Sequence, residues 1–387
     1  MCIRDRVGVE INRLLKQESK NRLNIVLPLE REDKRTKIVE ERFSSIIMQD
    51  PDLILLDPYL GERLFKVMYT TRNFQQDLKR LPMVHEVLQE QVFEHFEKDF
   101  SVFTLNGEER KLNRESGVEI GRNETLRYGF DKVYSVSFGL RTQMLDAVMT
   151  DEEHKRHFNE KEIRGAREIF ETIESDVNLR FMQDPSIPSG RKQLEREVLT
   201  PFHFPFPIKK DERDLPKGIY VNLTGKPSLD EELKEQIIKG IAEYCKSKGI
   251  VIYTTKYGKE NFDGIDVKVE SPSILYNQNI FAHITQLGWG SIIPTIMSKT
   301  ALIAPPYMYT DDIEKLLNGQ LFGKNGLDLI GFYDPRIGDK FSDSLEYALS
   351  KTESMQSYLN IIEHHYQTLD GLKYFVAPII KKQLDTN

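Results

Sequence analysis

Cysteine is scarce in this chain of 387 residues, which carries only Cys2 and Cys245. Two thiols cannot build a disulfide framework, and such sparse usage fits a reducing compartment, so a cytoplasmic protein is expected. Long apolar runs are missing too: nothing approaches the ~20 consecutive apolar residues of a membrane-spanning helix. Any membrane contact is therefore expected to be peripheral. Positive charge is not in excess; the net charge of −7 argues against a general nucleic-acid binder. No secretory signal is read at the start. Tryptophan occurs once, as Trp289. The apolar content is that of a globular chain, and the length is generous for one core, so two domains are expected.

That single tryptophan lies in the most informative stretch, His283 to Asp312. The approach (Ile280, Phe281, Ile284, Thr285) reads as a short buried strand. Gly288-Trp289-Gly290-Ser291 breaks it, and Ser291 is placed to cap a helix over Ile292 to Met297. A second apolar run, Ala301 to Ala304, stops at Pro305-Pro306. The pattern is strand, glycine turn, helix, strand. Such a turn aims backbone N–H groups at one spot and favours an anion there, a diphosphate for example. A Cβ at Gly288 or Gly290 would hold a phosphate away. An ordinary tight turn with Trp289 in the core explains the same residues equally well.

Along the chain, Met1-Cys2-Ile3-Arg4-Asp5-Arg6 has the appearance of a translated sequencing adapter, so residues 1–6 are set aside and the native start is expected to lie upstream of Val7. A helix is expected over Val7 to Lys16, a strand over Leu23 to Leu27, and a solvated helical face from Glu30 to Arg42. Asp52 to Asp57 reads as a buried strand that puts Asp57 at its carboxyl end, where α/β sheets collect ligands, although a turn carboxylate fits as well. Phe100 to Thr104 and the turn Asn106-Gly107 suggest a hairpin. Val133 to Phe138 is a strand candidate; Arg141 follows, either lining a cleft or opening the helix of Met144 to Met149. His154 and His157 share a helical face but lack further ligands, so a solvated face is the better reading. A helix is expected over Glu162 to Glu174. Prolines crowd the region from Gln183 to Asp214, where an interdomain linker is expected. A new unit then starts: strand Ile219 to Leu223, loop Thr224-Gly225-Lys226, helix Leu229 to Lys246, strand Ile250 to Thr254, and a short strand Val267 to Val269. That alternation argues for a parallel, doubly wound sheet. Beyond Asp312 come a helix over Ile313 to Leu317, a strand over Leu327 to Phe332 and helices from Ser342 to Lys382.

Residues 216 to about 330 resemble the donor-binding half of GT-B glycosyltransferases, of the UDP-glycosyltransferase type. That family opens its second domain with a strand reading YVSFGS, here Tyr220-Val221-Asn222-Leu223-Thr224-Gly225; a proline loop follows, here Ser271-Pro272-Ser273. Its signature H-C/G-G-W-x-S stands as Gln286-Leu287-Gly288-Trp289-Gly290-Ser291, and P-x-x-x-D-Q as Pro306 leading to Asp311-Asp312. The resemblance implies an α/β protein of two Rossmann-like doubly wound domains, the first truncated. The expected division is 7–200 for the acceptor side, 201–216 for the linker, 217–340 for the nucleotide-sugar domain and 341–387 for helices crossing back. It implies a glycosyltransferase using a nucleoside diphosphate sugar, a UDP-sugar by family, with a hydroxyl acceptor of unknown identity and with neither cofactor nor metal. The donor site would comprise Thr224, Gly225, Ser273, Gln286, Gly288, Trp289, Gly290, Ser291, Asp311 and Asp312; Asp57 and Arg141 would face the acceptor. The family's base lies in the first loop of the N-terminal domain, so none is assigned here, Asp57 being the candidate within the chain. Three positions depart from the pattern: the diphosphate histidine is Gln286, the ribose-holding acid falls at Pro294, and the final glutamine is Asp312. A UDP-sugar epimerase, or a non-catalytic binding module of the same fold, are the alternatives.

Overall fold

The structure, a computed structural model, describes residues 25–28, 54–57, 74–98, 102–105, 108–111, 119–121, 129–188, 193–204, 208–224, 229–256, 258–262, 264–308 and 311–385. The expectations for residues 1–6, the lost native start, the helix over Val7 to Lys16, the charged face from Glu30 to Arg42, and Gly225 lie outside them. The chain divides into two units. One comprises Met1–Thr71, Gln75–Pro205 and Asp370–Asn387; the other Arg72–Phe74 and Phe206–Leu369.

In the first unit, β1 (Ile25–Pro28) pairs in parallel with β2 (Ile54–Asp57), so Asp57 ends a strand opposite Pro28. Helix α1 (Phe74–Lys98) follows, and then β3 (Val102–Leu105) and β4 (Glu108–Lys111) form an antiparallel hairpin. A separate parallel sheet runs in the order β5 (Glu119–Gly121), β6 (Val133–Gly139), β7 (Leu179–Ile187), β8 (Glu197–Thr200). Helices α2 (Arg141–Thr150) and α3 (Glu160–Ser175) link β6 to β7, as a parallel connection requires. The proline-dense stretch from Gln183 thus holds the end of β7 and all of β8 ahead of residues 201–216, where the linker was expected. The reason lies in the register: β7 pairs with β8 through Arg180 to Gln183, and Pro185 comes after that ladder and within the irregular step of the β6–β7 ladder, between the pairs Ser137–Met182 and Gly139–Ile187. From Asp370 the chain belongs to this unit again, and Leu372, Val376 and Ile380 join Tyr134, Val136 and Phe181 in one apolar cluster.

The second unit is a six-stranded parallel sheet in the order β11 (Lys268–Val269), β10 (Val251–Thr254), β9 (Gly218–Asn222), β12 (Ile280–Thr285), β13 (Ala301–Ala304), β14 (Ile330–Phe332). Strands buried on both faces read as unbroken apolar runs, as Ala301 to Ala304 does. Helix α4 (Glu231–Lys248) buries Leu233, Ile237, Ile238 and Ile241, starts where the Asp230 carboxylate accepts the Leu233 amide, and ends at Gly249 with φ 63°. Helices α5 (Trp289–Ser298) and α6 (Ile313–Phe322) flank β13; α7 (Phe341–Ser350) and α8 (Thr352–Tyr366) pack in the same unit. Within this unit the first strand, β9, lies beside the fourth, β12, and the chain winds outward from there in both directions. Open α/β sheets form their ligand crevice at such a reversal, beyond the strands' carboxyl ends. Thr224 follows β9 there, and the Gly288 turn follows β12.

Candidate functional site

Helix α5 begins at Trp289, earlier than the Ser291 cap predicted from sequence. Gly288 is the N-cap residue, extended at φ −87° and ψ 145°, and it offers the helix no side chain. Its carbonyl accepts the amides of Ser291 at 2.9 Å and Ile292 at 3.0 Å. Ser291 therefore sits in the first turn, its amide drawn inward. The amide of Gly290, second in the helix, has no intrahelical acceptor within reach at a helix start. A Cβ built on Gly288 would meet no atom within 4 Å, so this glycine leaves open space at the helix head.

Three other helix heads, those of α2, α4 and α6, are filled by a carboxylate of the chain itself. At α2, the Glu174 carboxylate takes the Arg141 amide at 2.5 Å and the Thr142 hydroxyl at 2.5 Å. Burial pushes the Glu174 carboxyl up from its ordinary value. Arg141, expected to face an acceptor, is thereby the residue whose amide is spent on an internal carboxylate, and its guanidinium donates to the Met144 sulfur at 3.7 Å. Asp230 and Asp312 cap α4 and α6 in the same way.

The turn leading into α5 is held from several sides. Thr285 Oγ1 donates to the Asn222 carbonyl at 3.0 Å, and Gln286 Nε2 to the Leu223 carbonyl at 2.8 Å, which stitches β12 to β9. Lys315 Nζ donates to Gln286 Oε1. The amide expected to reach a diphosphate is thus engaged at both ends. Asn318 Nδ2, one turn along α6 from Lys315, donates to the Leu287 carbonyl at 2.7 Å. The Trp289 side chain is 2 % exposed and lies edge-on to Phe322 at 5.5 Å. Its indole is core, and only its backbone belongs to the turn. Below it, Thr295 Oγ1 donates to the Ser291 carbonyl at 2.6 Å and lies 2.6 Å from His283 Nδ1. One hydroxyl carries one proton, so His283 must donate through Nδ1, the neutral tautomer. Burial agrees, pushing the imidazole down to about 3.

The remaining expected site residues are dispersed. Thr224 follows β9 and donates to Asn222 Oδ1 at 2.5 Å. Ser273 stands in the turn Pro272–Tyr276 after β11, its hydroxyl 2.5 Å from that of Ser271. Asp311 Oδ2 accepts the Met308 amide at 2.9 Å, and burial raises its carboxyl. Asp312 caps α6 through the Glu314 amide at 3.0 Å. Pro294 stands inside α5, buried. Sequence reasoning missed Lys315 and Asn318, although Asp312, Lys315 and Asn318 recur at the three-residue spacing of one helix face, a legible signal. Among the described residues no group of three His, Cys, Asp or Glu could hold a metal ion. No described helix is long and apolar enough to cross a membrane.

No family model matches this chain, and no curated protein does. Solved structures do. A UDP-glucosyltransferase from Polygonum tinctorium capable of glucosylating indoxyl superposes with a TM-score of 0.56 at 10% identity, covering 98% of this chain and 96% of that one. UGT2 of Phytolacca americana, complexed with UDP-2fluoro-glucose and pterostilbene, gives 0.55 at 8% identity over 100% and 98% of the two chains. UGT89C1 of Arabidopsis thaliana, complexed with quercetin, gives 0.54 at 11% identity over 98% and 95%. With its two parallel α/β units matched over nearly the whole length of these enzymes, the chain has the GT-B fold of plant UDP-glycosyltransferases.

Proposed function

We propose that the protein is a glycosyltransferase that moves a sugar from a nucleoside diphosphate sugar, a UDP-sugar, to a hydroxyl acceptor in the cytoplasm. The observation that carries this reading is the open helix head at Gly288, placed where the strand order of the second sheet reverses. As the sugar leaves, negative charge builds on the departing diphosphate. Amides fixed at a helix start stabilise that charge without reorganising. Gly288 and Gly290 let the phosphates approach the backbone, and Thr224 stands at the neighbouring strand end, where its hydroxyl would have to turn from Asn222 Oδ1 to donate to the ligand. A base must take the acceptor's proton in the same step; Asp57, at the carboxyl end of β2, is the acid proposed for that part. Asp311 is proposed to face the sugar.

A second reading is favoured by two features, the engagement of Gln286 at both ends and a proline where the resemblance puts the ribose-holding acid. On that reading the protein binds the nucleotide without turning it over. Calorimetric titration of UDP into the full chain, followed by an assay of UDP-sugar hydrolysis and transfer to a phenolic acceptor, separates the two. Binding with turnover supports the transferase, binding without turnover the module. Absence of UDP binding by the folded protein overturns both.

A further inference from the structure

Asn318 is fully buried on α6, one turn beyond Lys315. Its Nδ2 donates to the Leu287 carbonyl at 2.7 Å, while its Oδ1 is buried and finds no partner among the described residues. A buried acceptor left without a donor is a cost that packing does not explain, since an apolar side chain of similar shape would avoid it. The bond that Asn318 does make must account for the asparagine. That bond falls on the residue just ahead of the open helix head. Leu287 is itself fully buried, and its Cδ1 stands 3.4 Å from where a Cβ on Gly319 would lie, so α6 seats both its side chain and its carbonyl.

The peptide between Leu287 and Gly288 is thereby pinned at both of its polar ends. Its carbonyl accepts from Asn318, and its amide, that of Gly288, donates to the Gln286 carbonyl at 2.7 Å. The next carbonyl, that of Gly288, already belongs to α5 through the Ser291 and Ile292 amides. The plane of this one peptide thus fixes how the chain enters the helix, and with it where the Gly290 amide points. Glycine makes that plane hard to fix locally. Rotating the peptide would carry φ of Gly288 from −87° to a positive value, a region open to glycine and closed to most residues. The missing Cβ that lets a phosphate approach also leaves the entry to the helix loose. We propose that Asn318 is a positioning residue of the diphosphate site: by holding the Leu287 carbonyl it sets the Gly288 turn before the ligand arrives, so that the α5 amides need no reordering on binding. It touches no ligand itself. The assignment rests on the donor-site reading above, with a nucleoside diphosphate as the ligand class.

The test is calorimetric titration of UDP and uridine into the full chain, wild type and Asn318→Leu, with hydrogen exchange of the Gly288 amide read by NMR. Asn318→Leu nearly keeps the buried volume and removes the donor. It should bind UDP about tenfold more weakly, the equivalent of ~1.4 kcal/mol, and uridine as wild type does, since only phosphates use the helix head. The Gly288 amide should exchange slowly in ligand-free wild type and roughly tenfold faster in the variant. Undiminished UDP affinity in folded Asn318→Leu overturns the assignment, as does an equal loss of UDP and uridine, which marks a merely structural asparagine. If Asn318→Leu does not fold, ligand-free wild type decides. Protection of the Gly288 amide without ligand supports a turn set in advance; protection that comes only with UDP overturns it. Wild type that binds UDP no more tightly than uridine refutes the donor site, and the assignment with it. Tighter binding of UDP keeps that reading whatever the Asn318 variant does.

Discussion

Replacing Gly288 by aspartate should move stability and ligand binding in opposite directions. Gly288 occupies an N-cap with extended backbone, φ −87° and ψ 145°, a conformation open to any L-residue. The added Cβ meets nothing within 4 Å, so no repacking opposes it. Aspartate is a better N-cap than glycine by a few tenths of a kcal/mol, because its carboxylate accepts an amide of the first turn. Gly288→Asp should therefore unfold at the same temperature or slightly higher; for a domain of this size about 1 kcal/mol corresponds to roughly 2–4 °C. Its carboxylate, however, would take the place of the ligand, as Glu174 does at the head of α2. A diphosphate then loses at least one charge-assisted hydrogen bond, about 1.5–3 kcal/mol, and meets a like charge. UDP affinity should fall by at least about tenfold. Differential scanning calorimetry and UDP titration read the two quantities on one preparation. Undiminished UDP affinity in the folded variant refutes the site; a loss of more than about 1 kcal/mol of stability refutes the picture of an open, unstrained cap.

Glu174→Ala removes the acceptor of the Arg141 amide and the Thr142 hydroxyl, and the buried orphans should cost the first unit about 2–4 kcal/mol in urea denaturation. An unchanged midpoint would mean that water serves those donors equally well. Burial pushes both His203 and His283 down to about 3 from an ordinary 6.5. Because the folded values are depressed, the unfolded chain binds more protons below pH 6.5, and stability is lost as pH falls through that window towards 3. Near pH 5.5 the loss should be about 1.4 kcal/mol per histidine. NMR titration should show two imidazoles still neutral there, and two charged rings would contradict the burial. Fluorescence of the lone Trp289 should be that of an apolar site and resist iodide quenching; ready quenching would contradict its place against Phe322.

Periodicity and turn chemistry carry much of the fold in the residues themselves. The alternation of β9, α4, β10 and of β12, α5, β13 is legible because short apolar runs bounded by Gly, Pro and Asp leave few alternatives. The parallel doubly wound class follows from that alternation, and the glycine turn after β12 can be read one residue at a time. Boundaries fare less well. Ser291 is an apt cap by composition, but the chain caps α5 at Gly288, because an extended residue with a free carbonyl suffices and no side chain is needed. Proline density suggests irregular chain before β9, yet Pro185 sits in β7, past the pairing with β8 and within the register shift of the pairing with β6.

What the sequence by itself determined is the turn: two glycines and a tryptophan between a strand and a helix, a geometry that favours an anion. Tertiary structure alone decided what surrounds it. Only the strand order makes β9 and β12 neighbours, and so brings Thr224 to the same edge of the sheet as Gly288. Only packing engages Gln286 at both ends and places Lys315 behind it, a contact between residues 29 positions apart. Local pattern encodes which backbone groups a turn leaves open. Which buried side chains hold that turn depends on how a helix from further along the chain settles on the sheet, and no window of sequence contains that.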